Sequence, residues 1–285
     1  MALGVILAYG VVMAIDHSSQ TTLITGASSG IGADLARRLA ERGTALVLAA
    51  RRTERLDALA AELRTAHGVR VETVSADLAR PGAGRDLAAE VDRRGVRVTS
   101  LINNAGIGSD GAFADQDPDE LEALLALNVT ALVDITRAFI DRLSRAEGGY
   151  LVNIASGAAY QPIPGMAVYA ASKAFVLNFT EALWWETRGS GLRTMAFSPG
   201  LTRSEFFDEI GTQGYGSGFQ TPDEVARALV RALDRDRSVP STAARASTAF
   251  AAGLVRLFSR KATVLLTARG AGSAGLMSKR RPVAP

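Results

Sequence analysis

The chain contains no cysteine. Disulfides, thiolate nucleophiles and cysteine-ligated metals are therefore excluded. Histidine is nearly absent as well: His17 and His67 stand alone, which argues against a metal cluster, and both read as surface residues. Charge of one sign does not dominate, since 32 basic and 29 acidic residues give a net charge of +3 and are mixed along most of the chain. That pattern lacks the concentrated basic footprint of a nucleic-acid-binding protein. No internal repeat is visible, and no low-complexity linker occurs before about Gly270.

The composition that remains is globular. Apolar residues make up 47% and charged residues 21% of the 285, as in folded rather than disordered chains. This length holds one large α/β domain or two small ones. The first fifteen residues, Met1 to Ile15, carry no charge. They fall short of the roughly 20 residues a membrane-spanning helix needs, and they lack the basic start of a signal peptide. A second methionine, Met13, precedes the first polar residues. Residues 1–12 therefore read as a dispensable or merely packed leader, with a membrane anchor or a signal as alternatives.

From Thr21 onward, short apolar runs alternate with longer helical patterns. The runs at 21–25, 44–50, 69–76, 99–103, 149–155 and 192–198 read as strands, several of them apolar throughout as in a sheet buried on both faces. Helices are expected at 33–42, at 54–66 with Thr53 as N-cap, at 84–94, and as one long helix over 118–145 starting at Asp117-Pro118. Another follows near Tyr169, and Thr221 should cap a helix over 223–234. Strict alternation predicts an α/β fold, a doubly wound parallel sheet (Rossmann-like) in a single domain, with a helical C-terminal extension. The expected division is a leader at 1–20, a dinucleotide-binding catalytic domain at 21–240 and a basic helical extension at 241–285.

The first strand runs straight into Gly26-Ala-Ser-Ser-Gly30-Ile-Gly32 and then a helix. Free N–H groups and the helix dipole make such a turn an anion site. Gly26 permits the tight turn, Gly30 lets the backbone approach a pyrophosphate, and Gly32 allows close helix–strand packing. The spacing differs from the usual G-x-G-x-x-G, and a plain strand–helix turn is the alternative.

Tyr169 and Lys173 lie four residues apart ahead of an apolar helical run, so phenol and ammonium share a helix face. A free tyrosine titrates at about 10 and exchanges protons poorly at neutral pH. A fixed positive charge nearby is expected to lower that value. On spacing alone, Tyr and Lys four apart are mostly an ordinary solvated helix face.

Together, Thr25-Gly-Ala-Ser-Ser-Gly-Ile-Gly32, Asn103-Asn-Ala-Gly106, Ser156 and Tyr169-x-x-x-Lys173 resemble the short-chain dehydrogenase/reductase family. The likeness extends from about Thr21 to Val239. It implies an oxidoreductase in which Tyr169 is the general acid/base, Ser156 bonds the substrate carbonyl and Lys173 tunes Tyr169 while holding the nicotinamide ribose. It further implies that Asn128 orders a water reaching Lys173. The implied cofactor contacts are Gly26, Ser28, Ser29, Gly30, Ile31 and Gly32 in the turn, Asp77 and Leu78 at the adenine, and Asn104, Ala105 and Gly106 after the fourth strand. Tyr169 and Lys173 join them, with Pro199, Gly200, Thr202 and Ser204 near the carboxamide. The family usually has Thr where Ser204 stands, and a hydroxyl is kept.

The second strand ends in Arg51-Arg52 where an acid would mark NAD. Two guanidiniums suit a 2′-phosphate, so the expected cofactor is NADP, the alternative being that the pair merely begins a solvated helix. A segment over 206–219, with Phe206, Phe207, Tyr215 and Phe219 among four glycines, has the composition of a lid over an apolar pocket, or of a surface loop with its aromatics packed inward. Residues 157–166 would form the opposite wall. The substrate is then an apolar small-molecule ketone, aldehyde or alcohol, and no nucleic acid is involved. Readings from other classes are a nucleotide-binding sensor or scaffold without turnover, and a nucleotide-sugar epimerase. The resemblance implies a homodimer or homotetramer through the helices near Pro118 and Val168, in the cytoplasm. In the tail, Phe250, Leu254, Leu257 and Phe258 recur at helical spacing, with Arg245 and Arg256 opposite and a basic end at Lys279-Arg-Arg281. This stripe packs on protein or else makes peripheral membrane contact through the termini.

Overall fold

The apolar runs assemble into one sheet of seven strands, all pairing in parallel. The computed structural model describes residues 14–203, 205, 218–235, 238–255 and 257–273. The strands are β1 (Thr21–Thr25), β2 (Ala45–Ala50), β3 (Val71–Ser75), β4 (Ser100–Asn103), β5 (Tyr150–Ile154), β6 (Arg193–Ser198) and β7 (Ser241–Ala243), in the spatial order β3-β2-β1-β4-β5-β6-β7. Successive strand residues face opposite sides. Ile24, Leu46, Leu48, Ile102 and Val152 therefore pack beneath α1 (Gly30–Ala40), α2 (Thr53–His67) and α7 (Pro222–Leu233). Leu23, Val47, Ala49, Leu101 and Leu151 pack on the other side beneath α3 (Ala83–Arg93) and α5 (Leu132–Leu143). Burial on both faces explains why these strands read as continuous apolar runs rather than alternating ones.

Several details differ from the sequence reading. The helix expected over 118–145 is α4 (Pro118–Leu125), a π-helical turn (Ala126–Ala131) and α5. Such a turn inserts one residue and re-aims the side chains around it; Asn128 lies within it. The stretch Pro118–Leu143 is apolar and long enough to cross a membrane by length and composition, but Ile135, Phe139 and Leu143 are buried against the sheet, as in a core helix. Arg52, not Thr53, occupies the N-cap of α2. His17 is buried rather than exposed, because its Nε2 meets Asp234 Oδ1 at 2.9 Å at the end of α7. Thr221 does cap α7: its Oγ accepts from Glu224 N at 3.1 Å, and the Glu224 carboxylate accepts from Thr221 N at 3.0 Å.

The sheet also runs past residue 240, since β7 starts at Ser241. Beyond it, α6 (Ala167–Glu186), which carries Tyr169, is joined at one end of the sheet by α8 (Ala246–Val255) and α9 (Arg260–Ser273). The apolar tail stripe is therefore not one helix: α8 ends at Val255, and Leu257 and Phe258 lie in the turn before α9.

Candidate active site

The chain winds from β1 outward to β3 and then restarts at β4 on the other side of β1. At such a reversal the loops leaving the strand ends part and open a crevice. Gly26 bends there with φ +66°, and a Cβ on it would lie 2.8 Å from Ala105 Cα. A Cβ on Gly32 would lie 2.3 Å from the Gly26 carbonyl oxygen, so α1 crosses the turn at a distance only glycine allows. Thr25 locks the two loops together: its Oγ accepts from Asn104 N at 3.0 Å and Ala105 N at 3.1 Å. Asn104 Nδ2 returns bonds to the Thr25 and Gly26 carbonyls at 3.0 and 3.2 Å. Ser29 sits at the N-cap of α1 without a side-chain cap bond, so the helix start presents its amides to the crevice.

A cavity of about 940 Å³ extends from this turn across the ends of the strands. Ser28, Ser29, Gly30 and Ile31 border it at the turn, with Arg51 and Arg52 beyond β2 and Asp77 and Leu78 beyond β3. Asn104, Ala105 and Gly106 line its middle, and Pro199, Gly200 and Thr202 line the side after β6. Gly32 supports the turn from beneath. Ser204, Phe206, Phe207 and Tyr215 lie outside the described residues. Phe219 is described and packs near Tyr169, with Leu124 and Met166.

Ser156, Tyr169 and Lys173 meet on the cavity wall. Ser156 follows β5 and opens a short 3-10 turn, its Oγ accepting from Ala158 N at 3.1 Å. The same hydroxyl is hydrogen-bonded to the Tyr169 phenol. Burial raises the Tyr169 value above that of a free phenol, and the Ser156 bond offsets part of the rise. Burial also pushes Lys173 down to about 8. The expected lowering of Tyr169 by Lys173 is not what the protein groups alone produce. Lys173 Nζ stands 6.0 Å from the phenol ring centroid and donates to the Ile154 carbonyl at 3.1 Å. Burial thus shifts both groups toward their neutral forms, and a ligand that solvates the ammonium would shift both back toward charge. Tyr150, another buried phenol, bonds Thr22 Oγ at 2.7 Å inside the sheet and does not line the cavity.

Asn128 lies just behind this wall. Its Oδ1 accepts from Ile107 N at 2.9 Å, and its Nδ2 donates to Ile107 O at 2.8 Å and Ser172 Oγ at 3.2 Å. A Cβ on Gly106 would fall 3.0 Å from Asn128 Oδ1 and 3.3 Å from Lys173 Nζ. The π-helical turn thereby brings Asn128 to the Lys173 side of the Gly106 loop.

At the other end, Arg52 gathers anion-binding groups. It donates to Ser28 Oγ at 3.0 Å, Ser29 Oγ at 2.6 Å and Glu205 at 2.6 Å. Arg55 reaches the second Glu205 oxygen at 2.5 Å. Arg52 and then Arg55 hold the Glu205 carboxyl well below the usual range, at about 2.

The short chain dehydrogenase family profile matches residues 20–214. The chain is a short-chain dehydrogenase/reductase. It is 38% identical over 190 residues to sulfoacetaldehyde reductase 2 of Chromohalobacter salexigens, covering 66% of this chain and 75% of that one. Among solved structures it resembles a short-chain dehydrogenase from Sphingobium yanoikuyae in complex with NADPH, with 39% identity and a TM-score of 0.75 over 84% of this chain and 94% of that one. It also resembles the bulky-bulky ketone specific alcohol dehydrogenase from Comamonas testosteroni, with 32% identity and a TM-score of 0.71 over 84% and 93%. As a short-chain dehydrogenase/reductase it is an oxidoreductase of Rossmann fold that binds a nicotinamide cofactor.

This short-chain dehydrogenase/reductase has a cavity roof that sequence reasoning missed. Ser247, Thr248, Ala251 and Ala252 of α8 and Thr267, Gly270 and Ala271 of α9 line it. The available signal was small residues recurring at three- and four-residue spacing on helices whose other sides carry Phe and Leu.

Proposed function

We propose that the chain is an NADP(H)-dependent carbonyl reductase or alcohol dehydrogenase for an apolar ketone or aldehyde and its alcohol. The observation that carries this reading is the Ser156–Tyr169 hydroxyl pair on the wall of the cavity that begins at the glycine turn. The residues present fit a dinucleotide: a Cβ on Gly26 or Gly32 would meet backbone at under 3 Å, and the α1 amides face the same space. Ser28 to Ile31 would hold the pyrophosphate, Asp77 and Leu78 the adenine, Lys173 the ribose, and Pro199, Gly200 and Thr202 the carboxamide. The nicotinamide supplies or accepts the hydride.

Ser156 and Tyr169 would together offer two hydroxyl donors to a carbonyl oxygen that becomes an alkoxide. Tyr169 delivers its proton to that oxygen, and in the reverse direction removes it from the alcohol. Lys173, protonated when engaged by ribose hydroxyls, stabilises the phenolate left behind. Asn128 fixes the Gly106–Ile107 loop against Ser172 and so positions Lys173.

NADP preference is supported by Arg52 with Ser28 and Ser29, a set suited to phosphate, and by the NADPH complex of the Sphingobium relative. An apolar substrate is supported by Ala123, Leu127, Ile163 and Met166 along the wall beside Tyr169. A sulfonate, as the name of the Chromohalobacter relative implies, needs a cation; among the described lining residues that half of the cavity offers only Lys173. A bulky ketone, as the name of the Comamonas relative specifies, needs no such cation. Exposed Leu125 of α4 and Phe175 and Trp185 of α6 support a homodimer or homotetramer; the cytoplasm is the proposed compartment. The test is a ketone and alcohol panel followed by reduced-nicotinamide absorbance with NADPH and NADH. Turnover of apolar ketones with NADPH favoured is expected; no turnover with either cofactor refutes the reading.

A further inference from the structure

Charge along this chain is balanced only in total. Nine of the 32 basic residues and none of the 29 acidic ones follow Asp236. The last 49 residues therefore carry +9, and the rest of the chain, with 23 basic and 29 acidic residues, carries −6. Among the described residues, the same stretch holds most of the exposed apolar bulk: Phe250 is 72% exposed, Leu257 80%, Leu265 56% and Leu266 50%. Leu254, Phe258 and Val264 extend the patch, and Arg260 and Lys261 sit exposed at its centre, at the start of α9. Large exposed side chains set among cations at one end of a protein are the composition of a surface that enters a lipid headgroup layer.

We propose that the α8–α9 corner docks on an anionic phospholipid surface, with Phe250, Leu257, Phe258 and Leu265 entering the interface and Arg260 and Lys261 meeting the headgroups. Charge selects this occupant over a second copy packed corner to corner, which would set the Arg260–Lys261 pair of one copy against that of the other. Position gives the docking a use. The inner sides of the two helices, Thr248, Ala252, Thr267 and Ala271, roof the cavity that holds Tyr169. A membrane under this corner would place an apolar substrate against the cavity roof. Docking itself does not depend on the reaction assigned above, and it is measured separately from turnover.

The test uses the full chain with vesicles of phosphatidylcholine alone and of phosphatidylcholine mixed with phosphatidylglycerol, at low and high salt, read by flotation. Three proteins are compared: the native chain, the apolar variant Phe250→Ser/Leu257→Ser/Leu265→Ser, and the charge variant Arg260→Gln/Lys261→Gln. All the altered side chains are exposed, and circular dichroism with a thermal melt checks that each variant is folded. The native chain should float with the anionic vesicles and be released by salt. Each basic residue near an anionic surface is worth about fivefold, so the charge variant should bind roughly 25-fold more weakly. The apolar variant should lose binding to the anionic vesicles even at low salt. Native protein that floats with neither vesicle overturns the proposal. So does binding that both variants retain in full, which would assign it to another segment. Loss of an oligomer in the apolar variant, with no vesicle binding by the native chain, would instead assign the patch to a second copy.

Discussion

Replacing Arg52 with alanine separates the two nicotinamide cofactors. A charge-assisted bond from a guanidinium to a phosphate contributes about 1.5–3 kcal/mol. Against that stands the Arg52–Glu205 pair, which a phosphate must displace. Both side chains are 44% exposed, and a pair that open to water is worth about 1 kcal/mol or less. The net loss on Arg52→Ala is then about 0.5–3 kcal/mol, a fall of roughly 2- to 150-fold in kcat/KM with NADPH. NADH has no 2′-phosphate, so its kcat/KM should hold. Glu205→Gln should act in the opposite direction, raising kcat/KM with NADPH by up to about fivefold because the competing carboxylate is gone. Initial rates with both cofactors, on native, Arg52→Ala and Glu205→Gln proteins, decide the matter. Equal losses with NADPH and NADH in Arg52→Ala would show that Arg52 merely ties Ser28 and Ser29 together, and the NADP assignment would fall.

Gly32→Ala should lower stability by about 1–3 kcal/mol and weaken NADPH binding, because its Cβ would meet the Gly26 carbonyl oxygen at 2.3 Å and Asn104 Nδ2 at 2.6 Å; thermal melts and a fluorescence titration check both. Lys173 titrates at about 8 in the folded protein against 10.5 when unperturbed, so between those values the folded state binds fewer protons than the unfolded one and stability rises with pH. The penalty of the buried charge is fully present below pH 8, and Lys173→Met should remove it, making the protein up to about 3 kcal/mol more stable near neutral pH. Urea midpoints from about pH 7 to about pH 10 should climb for the native chain and stay flat for Lys173→Met; parallel curves would contradict the burial argument.

The parts of this molecule that sequence made legible are those set by local pattern. Gly26 and Gly32 after an apolar run announce the cradle because only glycine tolerates those approaches, and Gly30 between them takes a positive φ of 54°. Tyr169 and Lys173 announce a shared face because a helix repeats every 3.6 residues. What stayed hidden depends on distant partners. His17 sits in a polar stretch, and nothing nearby reveals Asp234, 217 residues away. The π-helical turn at Ala126–Ala131 leaves no mark on the apolar pattern of the helix containing it. β7 is three small residues long and becomes a strand only by pairing with β6. The pKa balance was hidden for a related reason: spacing shows that Lys173 lies near Tyr169, but not that both are buried or that Ile154 takes the ammonium.

The central claim is that Tyr169 is the proton donor to the carbonyl oxygen. Tyr169→Phe keeps the ring in its pocket and removes only the hydroxyl. Single-turnover oxidation of bound NADPH by an apolar ketone, with the NADPH dissociation constant measured on the same protein, tests the claim most directly. The account predicts a rate lower by roughly 10²–10⁴-fold, the usual worth of a positioned general acid, with cofactor affinity nearly unchanged. A Tyr169→Phe protein that reduces the ketone at close to the native rate would contradict it.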